Sequence, residues 1–189
     1  MNEEELQTLI HGLTEIERLK TITRGTEVLG RKESTAEHAY NCILLADQIL
    51  PLVTEELDHQ RIRDLLLYHD LVEVYSGDSQ YTKDQDVKTQ AQREQEGFEK
   101  LLKIIPQPKR YEELYEEFEE LQTREAQFAK AIDYLEPLVN GVNEDRISKN
   151  EGFTEQKMRS RYDKHMQRFE LTEQLYEALL GIMREHGKI

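Results

Sequence analysis

Apolar positions along the chain recur with helical rather than strand periodicity. Leu6, Leu9, Ile10, Leu13 and Ile16 follow the i, i+3, i+4, i+7 rule and predict an amphipathic first helix. A Gly-containing connection follows, from Thr23 to Lys32. Ser34 and Glu37 then stand in the S-x-x-E spacing of a capping box, where each side chain satisfies a free N–H of the first turn. The helix they open runs through His38, Ile43, Leu44, Leu45 and Ile49 and stops near Pro51. Its apolar residues go nearly all round, which predicts a central position. Asp58 suits the N-cap of the next helix, in which Ile62, Leu65, Leu66 and Leu67 lead into Tyr68-His69-Asp70-Leu71-Val72-Glu73-Val74-Tyr75-Ser76-Gly77-Asp78. Gly77 suits a C′ position.

Helical stripes continue around Ala91, Phe98, Leu101, Leu102 and Ile105, then at Tyr111, Leu114, Tyr115, Phe118 and Leu121. Phe128, Ile132 and Leu135 mark a further helix that Pro137 should kink or end, with Asn140-Gly141 closing the unit. Val142 to Gly152 is the longest loop candidate, and a last helix reads from Met158 through Tyr162, Met166, Phe169, Leu175 and Leu179 to Ile182. No segment alternates convincingly with period two, and no internal repeat is visible. The expectation is an all-α fold.

The length of 189 residues suits one well-cored domain rather than two. Its expected bounds are 1–189, with the motif-bearing part at about 17–140 and a C-terminal helix at about 154–186 packing on it. Charged residues make up 34% and Gly and Pro are scarce, which favours helices over sheet. The formal net charge of −14 argues against a nucleic-acid binder, because such a protein needs a basic stripe to release counterions from phosphates. A small phosphorylated substrate stays compatible, since a cation and one or two Arg side chains make a local positive pocket. No apolar run approaches the roughly 20 residues that span a bilayer, and the acidic start Met1-Asn2-Glu3-Glu4-Glu5 is unlike a signal peptide. Cys42 is the single cysteine, so neither a disulfide framework nor a Cys-based zinc site is expected. A cytoplasmic location is the simplest reading.

The apolar segment carrying His69, Asp70 and Glu73 concentrates the chemistry. Burying that many ionisable groups costs several kcal/mol each unless something pairs with them, and a divalent metal ion is such a partner. On a helix Glu73 lies four residues after His69 and three after Asp70, so all three would share a face. Further ligands should be polar residues on otherwise apolar faces of other helices, and His38 and Asp133 qualify. Two His and two Asp suit an ion of the Mn, Fe, Co, Ni or Zn group, with positions left for water and a substrate oxygen. Each residue alone has a plainer reading: His38 as a satisfied core histidine, Asp133 as a buried acid paired with Lys130, Cys42 as a small core residue. His11, His59, His165 and His186 lie in polar or terminal contexts and read as solvated, as does the acidic run from Glu112 to Glu120.

At these residues the chain resembles the HD-domain phosphohydrolases, and within them the bacterial 5′-deoxynucleotidases and their eukaryotic HD-domain-containing relatives. The similarity runs from about Glu17 to the last helix. Its pieces occur in order: Arg18-Leu19-Lys20-Thr21-Ile22-Thr23-Arg24, then Arg31-Lys32-Glu33-Ser34-Thr35-Ala36-Glu37-His38, then Tyr68 to Asp78, and last Asp133 within Ala131-Ile132-Asp133-Tyr134-Leu135. The resemblance implies ligation of one divalent metal by His38, His69, Asp70 and Asp133. It implies that Glu73 acts beside the metal on the attacking water or the leaving oxygen, that Arg24 binds the substrate phosphate, and that Asp78 contacts the sugar. On their own, Arg24 reads as a surface salt bridge and Asp78 as the cap of a turn. The family pattern has a Trp directly after the Arg where this chain has Gly25, and a Pro-containing loop where it has Ser79-Gln80-Tyr81-Thr82. Both departures fall on the substrate side.

The expected activity is therefore a metal-dependent phosphomonoesterase acting on nucleoside 5′-monophosphates, deoxy forms included. One alternative keeps the metal and changes the ester to a diester or an alarmone-type nucleotide. Another is a non-catalytic helical scaffold stapled by its polar cluster. The expected partners are a small nucleotide and, as the resemblance implies, a second copy in a homodimer, with neither nucleic acid nor membrane.

Overall fold

Helix α1 (Glu3–Ile16) opens on a capping box, in which the Asn2 side chain accepts from the Glu5 N–H and Glu5 accepts from the Asn2 N–H. The computed structural model describes residues 1–78, 87–143 and 154–189. The Ser79–Thr82 departure and most of the expected 142–152 loop lie outside the described residues. The apolar stripe of α1 is only partly used: Leu6, Ile10 and Leu13 are about half exposed. The helix instead leans on Gly12, where a Cβ would come 2.2 Å from the Ile104 carbonyl oxygen.

The expected connection at Thr23–Lys32 is a β-hairpin, and this corrects the purely helical reading locally. Strands β1 (Thr23–Val28) and β2 (Arg31–Ser34) pair antiparallel. Leu29 and Gly30 join them with positive φ of 48° and 85°, the backbone that two-residue hairpin turns need. Gly at the second position accepts this freely, whereas Leu29 conceals the turn from a sequence search. Register shifts between Thr23 and Glu27, so the strand is irregular at Arg24 and Gly25, and such irregularities re-aim side chains.

Ser34 ends β2 and caps α2 (Thr35–Ile49) through the expected box with Glu37. Asp58 caps α3 (His59–Tyr68) by accepting from the Arg61 N–H at 2.9 Å. A short α4 (Glu73–Ser76) follows, then α5 (Val87–Leu102), α6 (Pro108–Glu120) and α7 (Arg124–Asn143). Helix α3 packs on α2, α6 and α7. Ile62, Leu65 and Leu66 of α3 are buried with Leu114 and Phe118 of α6 and Phe128, Ile132 and Leu135 of α7. Each such side chain contributes roughly 1.5–3 kcal/mol on burial, enough together to carry a polar centre in the same layer. A second cluster joins Leu71, Val72 and Val74 to Phe98, Leu101 and Tyr111.

Two helical boundaries differ from expectation. Pro137 lies inside α7, which continues past Asn140-Gly141, because neighbouring helices hold it although Pro137 cannot donate to the Asp133 carbonyl. The last helix is two, α8 (Glu155–Met166) and α9 (Glu170–Glu185). They break where the Thr172 hydroxyl donates to the carbonyls of Met166 and Phe169, and both pack on α7. No helix among the described residues is long and apolar enough to cross a membrane.

Candidate metal centre

Three segments bring the centre together: the first turns of α2 carry His38, the link between α3 and α4 carries His69 and Asp70, and mid-α7 carries Asp133. The link corrects the expected continuous helix. α3 ends at Tyr68, and the N–H groups of Leu71, Glu73 and Val74 donate to carbonyls three residues back, a tighter turn than an α-helix. Residues three apart eclipse in such a turn, which sets Glu73 over Asp70.

His38 Nε2 lies 3.1 Å from Asp133 Oδ1 and 3.8 Å from Asp70 Oδ2. His69 Nε2 lies 3.1 Å from Asp70 Oδ2 and 3.7 Å from Asp133 Oδ1. Two imidazole nitrogens thus alternate with two carboxylate oxygens around one point. His69 Nε2 is buried and lacks an aligned hydrogen bond, which buried polar atoms seldom tolerate. An orphaned imidazole nitrogen beside two carboxylates fits a divalent ion of the Mn-to-Zn series. Cys42 adds a sulfur 3.5 Å from His38 Nε2, and His38, Cys42 and His69 offer donor atoms within 4.8 Å of one another. Burial pushes the Cys42 thiol up to about 12, so it stays a neutral core group.

Each of these side chains has an outer partner. His38 Nδ1 meets Glu136 Oε2 at 2.8 Å, and His69 Nδ1 donates to the Leu66 carbonyl at 2.8 Å. Lys130 Nζ stands 3.2 Å from Asp133 Oδ2, the pairing anticipated as Asp133's plainer explanation. Arg24 Nη1 donates to Asp70 Oδ2 at 3.0 Å and lies 4.0 Å from Asp78 Oδ1. Burial alone would raise both aspartates. The His69 ring and Arg24 hold Asp70 below its usual range, and Lys130 with the His38 bond does so for Asp133.

Glu73 is the opposite case. Burial and then the Asp70 charge push its carboxyl up to about 9, while the Thr35 hydroxyl donates to its Oε2. Burial also raises Asp78, which takes a backbone hydrogen bond from Gly25. Arg24 is therefore the cation among three acids, Asp70, Asp78 and Glu33. Glu33 is fully buried, its oxygens have no hydrogen bond, and Arg24 Nε lies 3.7 Å away. Burial and the Glu136 charge lift it to about 7.

Sequence reasoning missed Thr35, Glu33 and Glu136 as parts of this centre. Glu136 had a signal, a lone charge between Leu135 and Pro137 three residues after Asp133. Glu33 had none, because its burial depends on the hairpin. His165 is buried rather than solvated: α8 lays it edge-on against Tyr134, ring centroids 5.1 Å apart. His11, His59 and His186 are exposed.

The HD domain family matches residues 16–174. The 5'-deoxynucleotidase HDDC2 of Homo sapiens is 28% identical over 138 residues, 70% of this chain and 66% of that protein, so the chain spans just under two thirds of it. Its Xenopus laevis counterpart is 25% identical over 186 residues, 95% of this chain and 89% of that one. A crystal structure of a predicted metal-dependent phosphohydrolase from Magnetospirillum magnetotacticum superposes with a TM-score of 0.83 at 28% identity, covering 97% of this chain and 95% of the other.

Proposed function

The chain belongs to the HD domain family, and from that premise we propose that it is a phosphomonoesterase releasing phosphate from nucleoside 5′-monophosphates, deoxy forms among them. The coarser assignment, a metal-dependent phosphohydrolase, rests on the family match and its relatives. The finer one rests on the juxtaposition of a His-Asp-His-Asp ring with one part-buried arginine and one buried glutamate that lies outside the ring.

In this reading His38, His69, Asp70 and Asp133 hold one divalent cation. Such a cation, when bound, supplies charge to a phosphoryl oxygen and water of lowered pKa. Arg24 binds the phosphate: burial would weaken its charge, but Asp70 and Asp133 raise it, so the guanidinium stays ionised. Its planar fork suits phosphoryl oxygens, whose charge it offsets as the transition state forms. Water adds to phosphorus as the bond to the 5′-oxygen breaks, giving nucleoside and inorganic phosphate. Glu73, whose carboxyl burial and the Asp70 charge push up, suits proton donation to that departing oxygen; Thr35 occupies Oε2 and leaves Oε1 for the transfer. Asp78, beside Arg24, is placed to accept from a sugar hydroxyl. The phosphodiesterase alternative uses the same centre, and no observation favours it.

The test follows phosphate release and, by chromatography, nucleoside and nucleotide products from a panel of nucleoside monophosphates and of cyclic and linear phosphodiesters with Mn²⁺, Co²⁺ or Ni²⁺. Turnover of 5′-monophosphates is expected. Absence of turnover on every monophosphate by metal-loaded protein overturns the proposal, and hydrolysis of diesters alone moves it to the alternative.

A further inference from the structure

Two carboxylates one turn apart on α7 grip the two nitrogens of a single ring on α2. Asp133 faces His38 Nε2 at 3.1 Å, and Glu136 faces Nδ1 at 2.8 Å. Asp133 belongs to the ring of proposed ligands; Glu136 stands outside it, on the far side of the imidazole. Its environment gives no other reason for a charge. Leu135 and Leu138 beside it are buried, and Glu136 itself is only 5% exposed. Its other oxygen takes just a long contact from Asn41 Nδ2 at 3.4 Å. An apolar side chain there would avoid the desolvation that an isolated carboxylate suffers. The other histidine is handled differently, because His69 Nδ1 donates to a neutral backbone carbonyl.

We propose that Glu136 is the positioning residue of the centre: its carboxylate holds the proton of His38 on Nδ1, turns Nε2 toward Asp133 and Asp70, and so sets the affinity for a divalent cation. This rests on the reading of His38 as a ligand given above. A ring nitrogen can bind a cation only through its lone pair, so Nε2 must be free of its proton. A carboxylate fixed on Nδ1 selects that tautomer, holds the ring plane, and makes Nε2 a stronger donor. Having Asp133 and Glu136 on one helix face couples the two jobs. Any shift of α7 that moves the ligand also moves the group orienting its neighbour. Glu33, which with Glu136 and His38 offers donor atoms within 4.8 Å of one another, adds negative charge to the same side. It touches neither ring nitrogen by a hydrogen bond.

The experiment measures Co²⁺ affinity by chelator competition, the visible Co²⁺ spectrum, and metal-free melting for wild type, Glu136→Gln, Glu136→Leu and His38→Ala. The expectation is a loss of about 10–100-fold in affinity for Glu136→Leu, a smaller loss for Glu136→Gln, and an altered Co²⁺ spectrum in both. Melting of the metal-free Glu136→Gln protein should stay near wild type, which separates positioning from a structural role. Wild-type affinity and spectrum in a folded Glu136→Gln and Glu136→Leu overturn the proposal, as does a Glu136→Leu that fails to fold beside a Glu136→Gln that binds normally. A second Co²⁺ equivalent per chain that both Glu136→Gln and Glu33→Gln abolish also overturns it, since a cation would then replace the proton between Glu136 and His38. Unchanged Co²⁺ binding in His38→Ala defeats the underlying ligand assignment instead, whatever the Glu136 variants do.

Discussion

The Thr35 hydroxyl donates a 2.6 Å hydrogen bond to Oε2 of Glu73, linking the first residue of α2 to the first residue of α4. Both groups are buried, and Thr35 is fully so. The capping box of Ser34 and Glu37 fixes where Thr35 sits, so a local helix-start signal ends up orienting a carboxyl 38 positions away. Thr35→Val keeps shape and removes the donor. A net hydrogen bond to such a group is worth about 1–3 kcal/mol, so kcat should fall about tenfold or more. Thr35→Ser should keep most activity, and cation affinity should hold in both. Steady-state kinetics beside a metal titration checks this, and an unchanged kcat in Thr35→Val removes the role.

Glu73→Gln tests proton transfer separately from folding. Turnover should fall by about 10²- to 10⁴-fold, while the melting temperature holds because the amide keeps the shape of the side chain and an acceptor for the Thr35 hydroxyl. Retained turnover defeats the proton role. Loss of folding would instead favour the scaffold reading, in which the polar cluster only staples the core.

Metal removal should destabilise the protein by mass action. A ligand at 100 times its Kd contributes about 2.7 kcal/mol, roughly 5–10 °C of melting temperature for a chain of this size. Adding Mn²⁺ or Co²⁺ after chelation should restore the shift in scanning calorimetry, and His69→Ala should abolish the response. An equal response in His69→Ala would exclude His69 as a ligand.

Two buried groups give opposite pH dependences in metal-free protein. Glu33 is raised from 4.5 to about 7 by burial and Glu136, so the unfolded chain holds fewer protons across that window. Its contribution is full below about 4.5 and is lost as pH rises through about 7, a swing of order 2–3 kcal/mol. His165 is lowered from 6.5 to about 4 by burial and by Lys164, so its contribution is present above 6.5 and lost as pH falls toward 4. Denaturant titrations should show Glu33→Gln gaining on wild type between pH 5 and 8, and His165→Gln losing the acid-side slope. Parallel pH curves for either variant and wild type would contradict the corresponding assignment.

The helices and their order were legible because their cause is local. Apolar stripes, helix caps and Gly77 act within one or two turns, and the Ser34 box and the Asp58 cap do in the structure what their spacing implies. Boundaries that depend on packing were not legible: Pro137 does not end α7, and one expected C-terminal helix is two. The hairpin escaped because Leu29 holds a left-handed turn conformation that its residue type conceals.

For the centre, sequence alone singled out charges that sit where apolar residues belong: His38, His69, Asp70, Glu73 and Asp133. It could not supply the distances among them, since these reach across three segments separated by dozens of residues. Nor could it show that Thr35 bonds Glu73 and Glu136 bonds His38, or that Glu33 is sealed from water by a hairpin. Which atoms meet, and hence which carboxyl is ionised and which keeps its proton, follows from burial and charge proximity, and both arise only when the helices pack.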